Sequence, residues 1–494
     1  MRSRTEHDEV GHLRFWVWLA AIVGVALVVR LVHLYWLRQH DTFLIGDSYV
    51  YHRESRLVAD GVGWVSPLIY DAFGIKSELA MHPPGYPFWL AIWSWFGFDS
   101  VLAHQIATIP IGLATICTTG LIGRQLWSPT AGVVAAGIAA IHPSFFSWEG
   151  MLVQEPLAML AGTLVVLAFV RLLRRPAGWS IVLAGLAAGF APLTRAELGV
   201  SVAIAAVVVL VAVRSWQAVR AVAAVTVIAV LVVAPWAVHN TIRFGQFVPI
   251  SNGFGTTLTS TYCSELLENT VGYWSFPCQA RARQAVLAEF LADHPDAVPL
   301  APGQTATLEI EGYPPFEVDG DTIYAELDDA TYDGLLADYA IDFARDNPGY
   351  VVRSVPARLG RVLGIYRPIQ QIHLDELVDG RQRPIALASW AAYYLLLPLV
   401  VIGAVALWRR RRAELVLLAT PLLGALTAVT LTFGNTRYRA VGEPTIAVAA
   451  AIGIVAVVAW LRAAWYDRGD GQPVASGGSS AVGSDDSRSS ISTR

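Results

Sequence analysis

Residues 414–462 read ELVLLATPLLGALTAVTLTFGNTRYRAVGEPTIAVAAAIGIVAVVAWLR. Two apolar runs of about twenty residues flank the polar stretch FGNTRYRAVGEP at 433–444, so the segment reads as a helix crossing a bilayer, a turn, and a helix crossing back. The whole chain repeats this pattern. Its 494 residues are 55% hydrophobic and only 15% charged, which excludes an ordinary soluble domain and predicts an all-α polytopic membrane protein. Ten spans are expected, near residues 15–37, 100–122, 130–146, 151–170, 178–194, 197–213, 221–239, 386–408, 414–433 and 443–462. PFWLAIWSWFGF at 87–98 is too short to cross and reads as re-entrant or interfacial. The first run is too long for a signal-peptide core and is expected to stay as the first span.

Charge sets the orientation. With residues 1–14 in the cytoplasm, Arg124, Arg171, Arg174, Arg175, Arg214, Arg220, Arg409 to Arg412 and Arg462 all fall on the cytoplasmic side, as the positive-inside rule asks. Spans one to seven then occupy 15–239, with a first outer loop at 38–99. An extracytoplasmic loop domain covers 240–385, spans eight to ten cover 386–462, and residues 463–494, rich in Gly, Ser and Asp, form a disordered cytoplasmic tail. The loop domain carries roughly twenty acidic against roughly ten basic residues, in keeping with export.

Within that loop, residues 334–346 and 348–366 read as two amphipathic helices, with Asn347 as the N-cap of the second and Arg353, Arg358 and Arg361 on its polar face. They suit either the membrane surface or the loop's own core. Cys263 and Cys278 bound YCSELLENTVGYWSFPC and can pair if the loop faces an oxidising compartment; two unpaired thiols are the alternative.

On the outer face this topology gathers arginines that the positive-inside rule disfavours: Arg437 and Arg439 in the last outer turn, and Arg195 in APLTRAEL. A guanidinium at the bilayer boundary is stable beside a carboxylate or a phosphate, whose geometry its planar fork matches. Lipid headgroups alone are the simpler partner, but three such residues on one face favour an anionic ligand. Acids collect there too. Asp47 lies in LIGDSYVYHRESRLVADG after the first span, where a helix N-cap is the plain alternative, and Glu155 in MLVQEPLAML begins the fourth, where a cap on the helix dipole is. His82 opens MHPPGYPFWLA, and two prolines fix its approach to the membrane; a neutral surface histidine is the plain alternative. No HExxH or Cys/His cluster has metal-ligand spacing, so no cofactor is expected, with a divalent ion at Asp47 and other outer carboxylates as the open alternative.

An acid soon after the first span, HPPGYP closing that loop, QEPL at the start of the fourth span and RYRAVGEP before the last resemble, in that order, the GT-C polyprenyl-phosphate-sugar glycosyltransferases. Within them the pattern is most similar to the branch of the protein mannosyltransferases and the lipid A aminoarabinose transferase. The resemblance covers the membrane region. It implies Asp47 as the essential acid of the first outer loop, Glu155 as the second-loop acid, His82 as a contact to the lipid phosphate, and Arg437 and Arg439 as the arginines of the last outer loop. Asp47 is followed by Ser48 where the family often has a second acid, and His82 stands where the aminoarabinose enzymes have lysine. The inserted loop domain differs from that of the protein mannosyltransferases, which leaves the acceptor open.

The expected function is transfer of a sugar from a polyprenyl-phosphate donor to an envelope glycan, lipid or protein on the outer face of the cell membrane, by a single inverting displacement. Asp47 and Glu155 are the catalytic candidates, and His82, Arg437, Arg439 and Arg195 would hold the donor phosphate. The partners are then the lipid-linked donor, the acceptor and the bilayer, with no nucleic acid. A polymerase or ligase using pyrophosphate-linked glycans would share the outer arginines. A secondary transporter would show paired broken helices and internal repeats near the midplane, which the sequence lacks.

Overall fold

The computed structural model describes residues 2–38, 46–263, 270–310 and 315–469. Helices α1 (Arg2–His33), α2 (Asp47–Ala59), α3 (Pro67–Phe73), α4 (Gly85–Trp95), α5 (Val101–Leu126), α6 (Pro129–Ile141), α7 (Pro143–Phe146), α8 (Glu155–Arg174), α9 (Trp179–Thr194), α10 (Leu198–Val213) and α11 (Trp216–Phe244) come first. A polar segment follows with α12 (Phe254–Thr259), α13 (Phe276–Asp293), the antiparallel hairpin β1 (Thr305–Leu308) and β2 (Phe316–Asp319), α14 (Asp329–Asp346), α15 (Pro348–Val362) and α16 (Pro368–Asp379). The chain then returns to long helices, α17 (Arg383–Arg410) and α18 (Arg412–Leu431), and closes with the short α19 (Thr436–Ala440) and α20 (Glu443–Gly469).

Among the described residues, seven helices are long and apolar enough to cross a membrane, or eight when the pair α6 and Pro143–Met151, bent by 60°, is taken as one broken span. The ten-span expectation exceeds this. The difference lies in α9 and α10, which are apolar but have 16 residues each; at about 1.5 Å per residue they fall short of a hydrocarbon core of about 30 Å. The 87–98 piece is helical as α4, with only 11 residues. Residues 463–469 continue α20, and the rest of the proposed tail, 470–494, lies outside the described residues.

α5 and α8 form the centre of the bundle, with α6, α9, α10, α18 and α20 around them. Small residues let backbones approach: a side chain at Gly403 of α17 would collide with the Ala449 carbonyl of α20, so that contact requires glycine. Large apolar side chains such as Ile242 and Leu395, both 77% exposed, point away from the bundle, as they should where lipid is the neighbour. At one end of the bundle Arg174 binds Glu414 at 2.9 Å and the Gln125 carbonyl at 2.8 Å, and Arg411 joins Glu414 at 3.2 Å. This end gathers the arginines that sequence analysis placed in the cytoplasm.

The opposite end carries the polar segments. Arg30 of α1 is buried there against Glu149 at 2.9 Å. Arg243 at the end of α11 ties down the first outer loop through Glu78 and the carbonyls of Trp64 and Leu79. Asp329 of α14 accepts the Ala80 N–H at 3.0 Å, two residues from His82, while Asp333 accepts the N–H groups of Gly255 and Thr256 at the start of α12. α15 packs its arginine-bearing face into this assembly. Arg358 and Arg361, expected on its polar face, are fully buried; Arg358 donates to Tyr262 and the Thr430 carbonyl, and Arg361 to the Val271 carbonyl and to Gln370 and Gln371. Asn347 occupies the N-cap position of α15, but its amide donates back to the Phe343 carbonyl and closes α14 instead. Cys263 and Cys278 are joined, with Cα atoms 5.8 Å apart.

Glu54 of α2 is 4% exposed, and burial pushes its carboxyl from 4.5 up to about 8, with Arg243 opposing. The folded protein therefore holds a proton there that the unfolded chain releases. Stability should be greatest at low pH as far as this group is concerned, and should fall as pH rises from about 4.5 through about 8. Thermal unfolding of the detergent-solubilised protein across that range should lose on the order of a few kcal/mol, and Glu54→Gln should flatten the profile.

Candidate active site

The site is built where four sequence-distant segments end at one level. Asp47 is the first residue of α2, with Gly46 as the cap; Glu155 is the first residue of α8, with Gln154 as the cap; Arg195 terminates α9; Arg437 lies on α19 between α18 and α20. Neither acid caps its own helix by a side-chain bond. Both turn to Arg437 instead.

The Arg437 guanidinium is the hub. Its Nε donates to Glu155 Oε1 at 2.8 Å, its Nη2 to Asp47 Oδ2 at 3.0 Å, and its Nη1 to Asp379 Oδ1 at 3.3 Å. Arg195 donates to the same Glu155 oxygen at 2.9 Å, pairs with Glu197, and lies 4.8 Å from the centre of the Tyr438 ring. His82 Nε2 stands 3.4 Å from Asp47 Oδ1, and its ring packs on Tyr51 at 4.7 Å. Glu155 is wholly buried, Asp379 nearly so at 4%, and Asp47 keeps 35% of its side chain accessible.

These charges set one another's proton affinity. Burial would raise the Asp47 carboxyl, but the Arg437 charge and the His82 hydrogen bond outweigh it and hold the group well below the usual carboxylate range. Burial would lower Arg437, but Glu155, Asp47 and Asp379 hold it well above its ordinary value. Burial raises Asp379, with Arg437 opposing and neighbouring Asp375 adding to the rise.

Asp47, His82, Arg195 and Arg437 line one cavity of about 860 Å³, together with Gln154, Glu197 and Tyr438. That volume lies within the range of about 300–1,000 Å³ usual for small-molecule sites. Its other wall comes from the polar segment: Phe254, Trp274, Phe276, Gln279, Arg283 and Phe316. Among the described residues, no group of three or more His, Cys, Asp or Glu side chains is arranged to hold a metal ion.

Arg439 does not line this cavity. Its Nε donates to Glu443 Oε1 at 2.7 Å, its Nη1 to the Val362 carbonyl at 3.3 Å, and its guanidinium sits 4.0 Å over the Tyr393 ring, 3% exposed. The reason is helical. The Asn435 side chain accepts the Arg437 N–H at 3.0 Å and starts a turn of helix, and at 3.6 residues per turn positions i and i+2 face nearly opposite ways. Arg437 turns to the cavity and Arg439 to the start of α20.

Asp379, which sequence reading left unassigned, completes the hub. Its Oδ2 accepts from Asn435 at 2.9 Å, and Asp375, one turn earlier on α16, accepts from Thr436 at 2.6 Å. α16 thus grips the Asn435-Thr436-Arg437 stretch. The only sequence signal was an acid shortly before the eighth span.

Residues 81–239, from the His82 loop into α11, match the model of the dolichyl-phosphate-mannose-protein mannosyltransferase family. Among solved structures, the chain is similar to the oligosaccharyltransferase AglB from Archaeoglobus fulgidus, in complex with an inhibitory peptide and a dolichol-phosphate. The identity is 13% and the TM-score 0.48, over 92% of this chain and 52% of that one. An apo form of the Archaeoglobus fulgidus oligosaccharyltransferase matches at 14% identity and a TM-score of 0.44, over 92% and 52%. ArnT from Cupriavidus metallidurans, bound to undecaprenyl phosphate, matches at 17% identity and 0.39, over 87% and 77%. The chain spans about half the length of the archaeal proteins. No curated protein matches the chain. Over residues 81–239 the chain carries the sequence pattern of the dolichyl-phosphate-mannose-protein mannosyltransferases, and on that match its resemblance to the GT-C glycosyltransferases stands.

Proposed function

We propose that the protein transfers a sugar from a polyprenyl-phosphate donor to an acceptor hydroxyl at the extracytoplasmic face, by one inverting displacement. The observation that carries this reading is the hub: Arg437 holds Asp47 at the edge of a cavity that Arg195 and His82 also line. The family match, which includes His82, Glu155 and Arg195, supports the donor class. The outer face is inferred from the arginine-rich end opposite the cavity.

All three edges of Arg437 are occupied by carboxylates, so a donor phosphate must displace one of them. Glu155 and Asp379 are buried, whereas Asp47 is partly accessible and lines the cavity. The phosphate therefore takes the Nη2 edge and frees Asp47. Released beside the sugar, Asp47 accepts the acceptor's proton as the hydroxyl oxygen bonds to the anomeric carbon and the carbon–oxygen bond to phosphate breaks. The leaving phosphate gains charge, and Arg437 and Arg195, held in place by Glu155, stabilise it more than the ground state. Arg439 contributes by fixing the start of α20.

The test is reconstitution in proteoliposomes with radiolabelled polyprenyl-phosphate sugars, with the product's anomeric configuration read by NMR. Transfer with inversion is expected, from donor on one leaflet only. Retention of configuration, or solute flux with no transfer, would count against the reading.

A further inference from the structure

The cavity has a second wall that the transfer chemistry does not use. It starts with TVGYWSFPC at 270–278, a segment held from several sides. Arg361 donates to the Val271 carbonyl at 2.9 Å, Gly434 N–H to the Gly272 carbonyl at 2.7 Å, and Asn435 to the Tyr273 hydroxyl at 3.4 Å. Ser275 N–H donates to the Ser260 carbonyl at 2.9 Å, and the Cys263–Cys278 bridge closes the segment. Trp274 is thereby presented from a rigid support.

From Trp274 an aromatic path leads to the charged hub. Its ring meets Phe433 at 5.1 Å, Phe433 meets Tyr438 at 5.3 Å, and Tyr438 packs on Arg195, the partner of Glu155. The next residues outward, Phe276, Gln279 and Arg283, line the same cavity.

Three buried polar atoms of cavity residues have neither a hydrogen-bond nor an ion-pair partner among the described residues: Trp274 Nε1, Gln154 Oε1 and His82 Nδ1. Folded proteins seldom leave such atoms unpaired, so at a cavity wall water, an ion or a ligand completes them. The set includes an obligate donor, the indole N–H, and an acceptor, the amide oxygen, beside aromatic faces. A sugar ring fits this combination. Its C–H face packs on an aromatic ring, and its hydroxyls both accept and donate, whereas a hydrocarbon would leave both atoms unpaired.

We propose that Trp274, Phe276, Gln279 and Arg283 form the acceptor subsite and that the acceptor is a saccharide. The proposal rests on the reading of the hub as the donor site, since it places the acceptor across the same cavity. Trp274 is a binding residue there, with no part in bond breaking.

The experiment supplies full-length protein in nanodiscs with methyl glycosides of hexoses and pentoses, and with acetylated serine and threonine amides as the rival class. Saturation-transfer NMR should detect a methyl glycoside on wild-type protein and lose most of that signal in Trp274→Phe, which keeps an aromatic face, though a smaller one, and removes the N–H. In transfer assays with the same probes, Trp274→Phe should raise the saccharide KM about tenfold, the cost of one lost hydrogen bond, and shift the donor KM far less. The exposed Arg283→Ala provides a second variant that does not disturb the core. Use of the amides in preference to every glycoside would overturn the proposal, as would equal glycoside binding and KM in wild type and both variants. If wild-type protein cleaves no polyprenyl-phosphate sugar, the transfer reading fails, and the NMR comparison still decides the saccharide wall.

Discussion

Asp47→Asn should reduce sugar transfer by about two to four orders of magnitude, the range typical for losing a general base. The substitution is nearly isosteric, and the asparagine can still accept from Arg437 Nη2, so the hub should keep its geometry. What disappears is the group that takes the acceptor's proton. The measurement is single-turnover transfer from a radiolabelled donor in proteoliposomes, with insertion checked by unfolding temperature. Transfer at the wild-type rate in a correctly inserted variant would remove Asp47 from its role.

Arg437→Lys should lower kcat/KM for the donor by about 10²–10³, comparable with losing one preorganised donor to a developing oxyanion. Lysine keeps the charge but presents a point where arginine presents a three-edged fork, and here all three edges are in use, on Asp47, Glu155 and Asp379. Arg437→Ala is the harsher change. It would leave Asp47, Glu155 and Asp379 without their shared cation, and loss of one partner from a buried pair costs about 3–5 kcal/mol. The alanine variant is therefore expected to lose thermal stability as well as donor use. Kinetics of the lysine variant and melting of both separate the two effects.

Much of this arrangement is legible in the chain. Apolar runs of membrane length locate the long helices, and the alternation of arginines along them puts Asp47, Glu155, Arg195 and Arg437 at one end. What escapes is side-chain direction and long-range pairing. Arg437 and Arg439 look equivalent in RYR, and only the helical turn begun by Asn435 sends them apart. Arg358 and Arg361 look solvated because amphipathic patterning assumes water on the polar face, yet carbonyls and glutamines of neighbouring segments take the place of water. Asp379 pairs with a residue 58 positions away, and no local pattern encodes such a contact. α9 and α10 read as spans from hydropathy because apolarity is visible in sequence, while the length of the regular helix depends on where its end residues find partners, as Arg195 does in Glu155.

The central claim is that a lipid phosphate and Asp47 compete for one edge of Arg437. The direct test is the equilibrium affinity of sugar-free polyprenyl phosphate for full-length wild-type protein, Asp47→Asn and Arg437→Lys, measured in the same detergent by ligand-induced shift of the unfolding temperature. The competition predicts tighter binding by Asp47→Asn than by wild type, and weaker binding by Arg437→Lys. Weaker binding by Asp47→Asn, or one affinity shared by all three proteins, would contradict it.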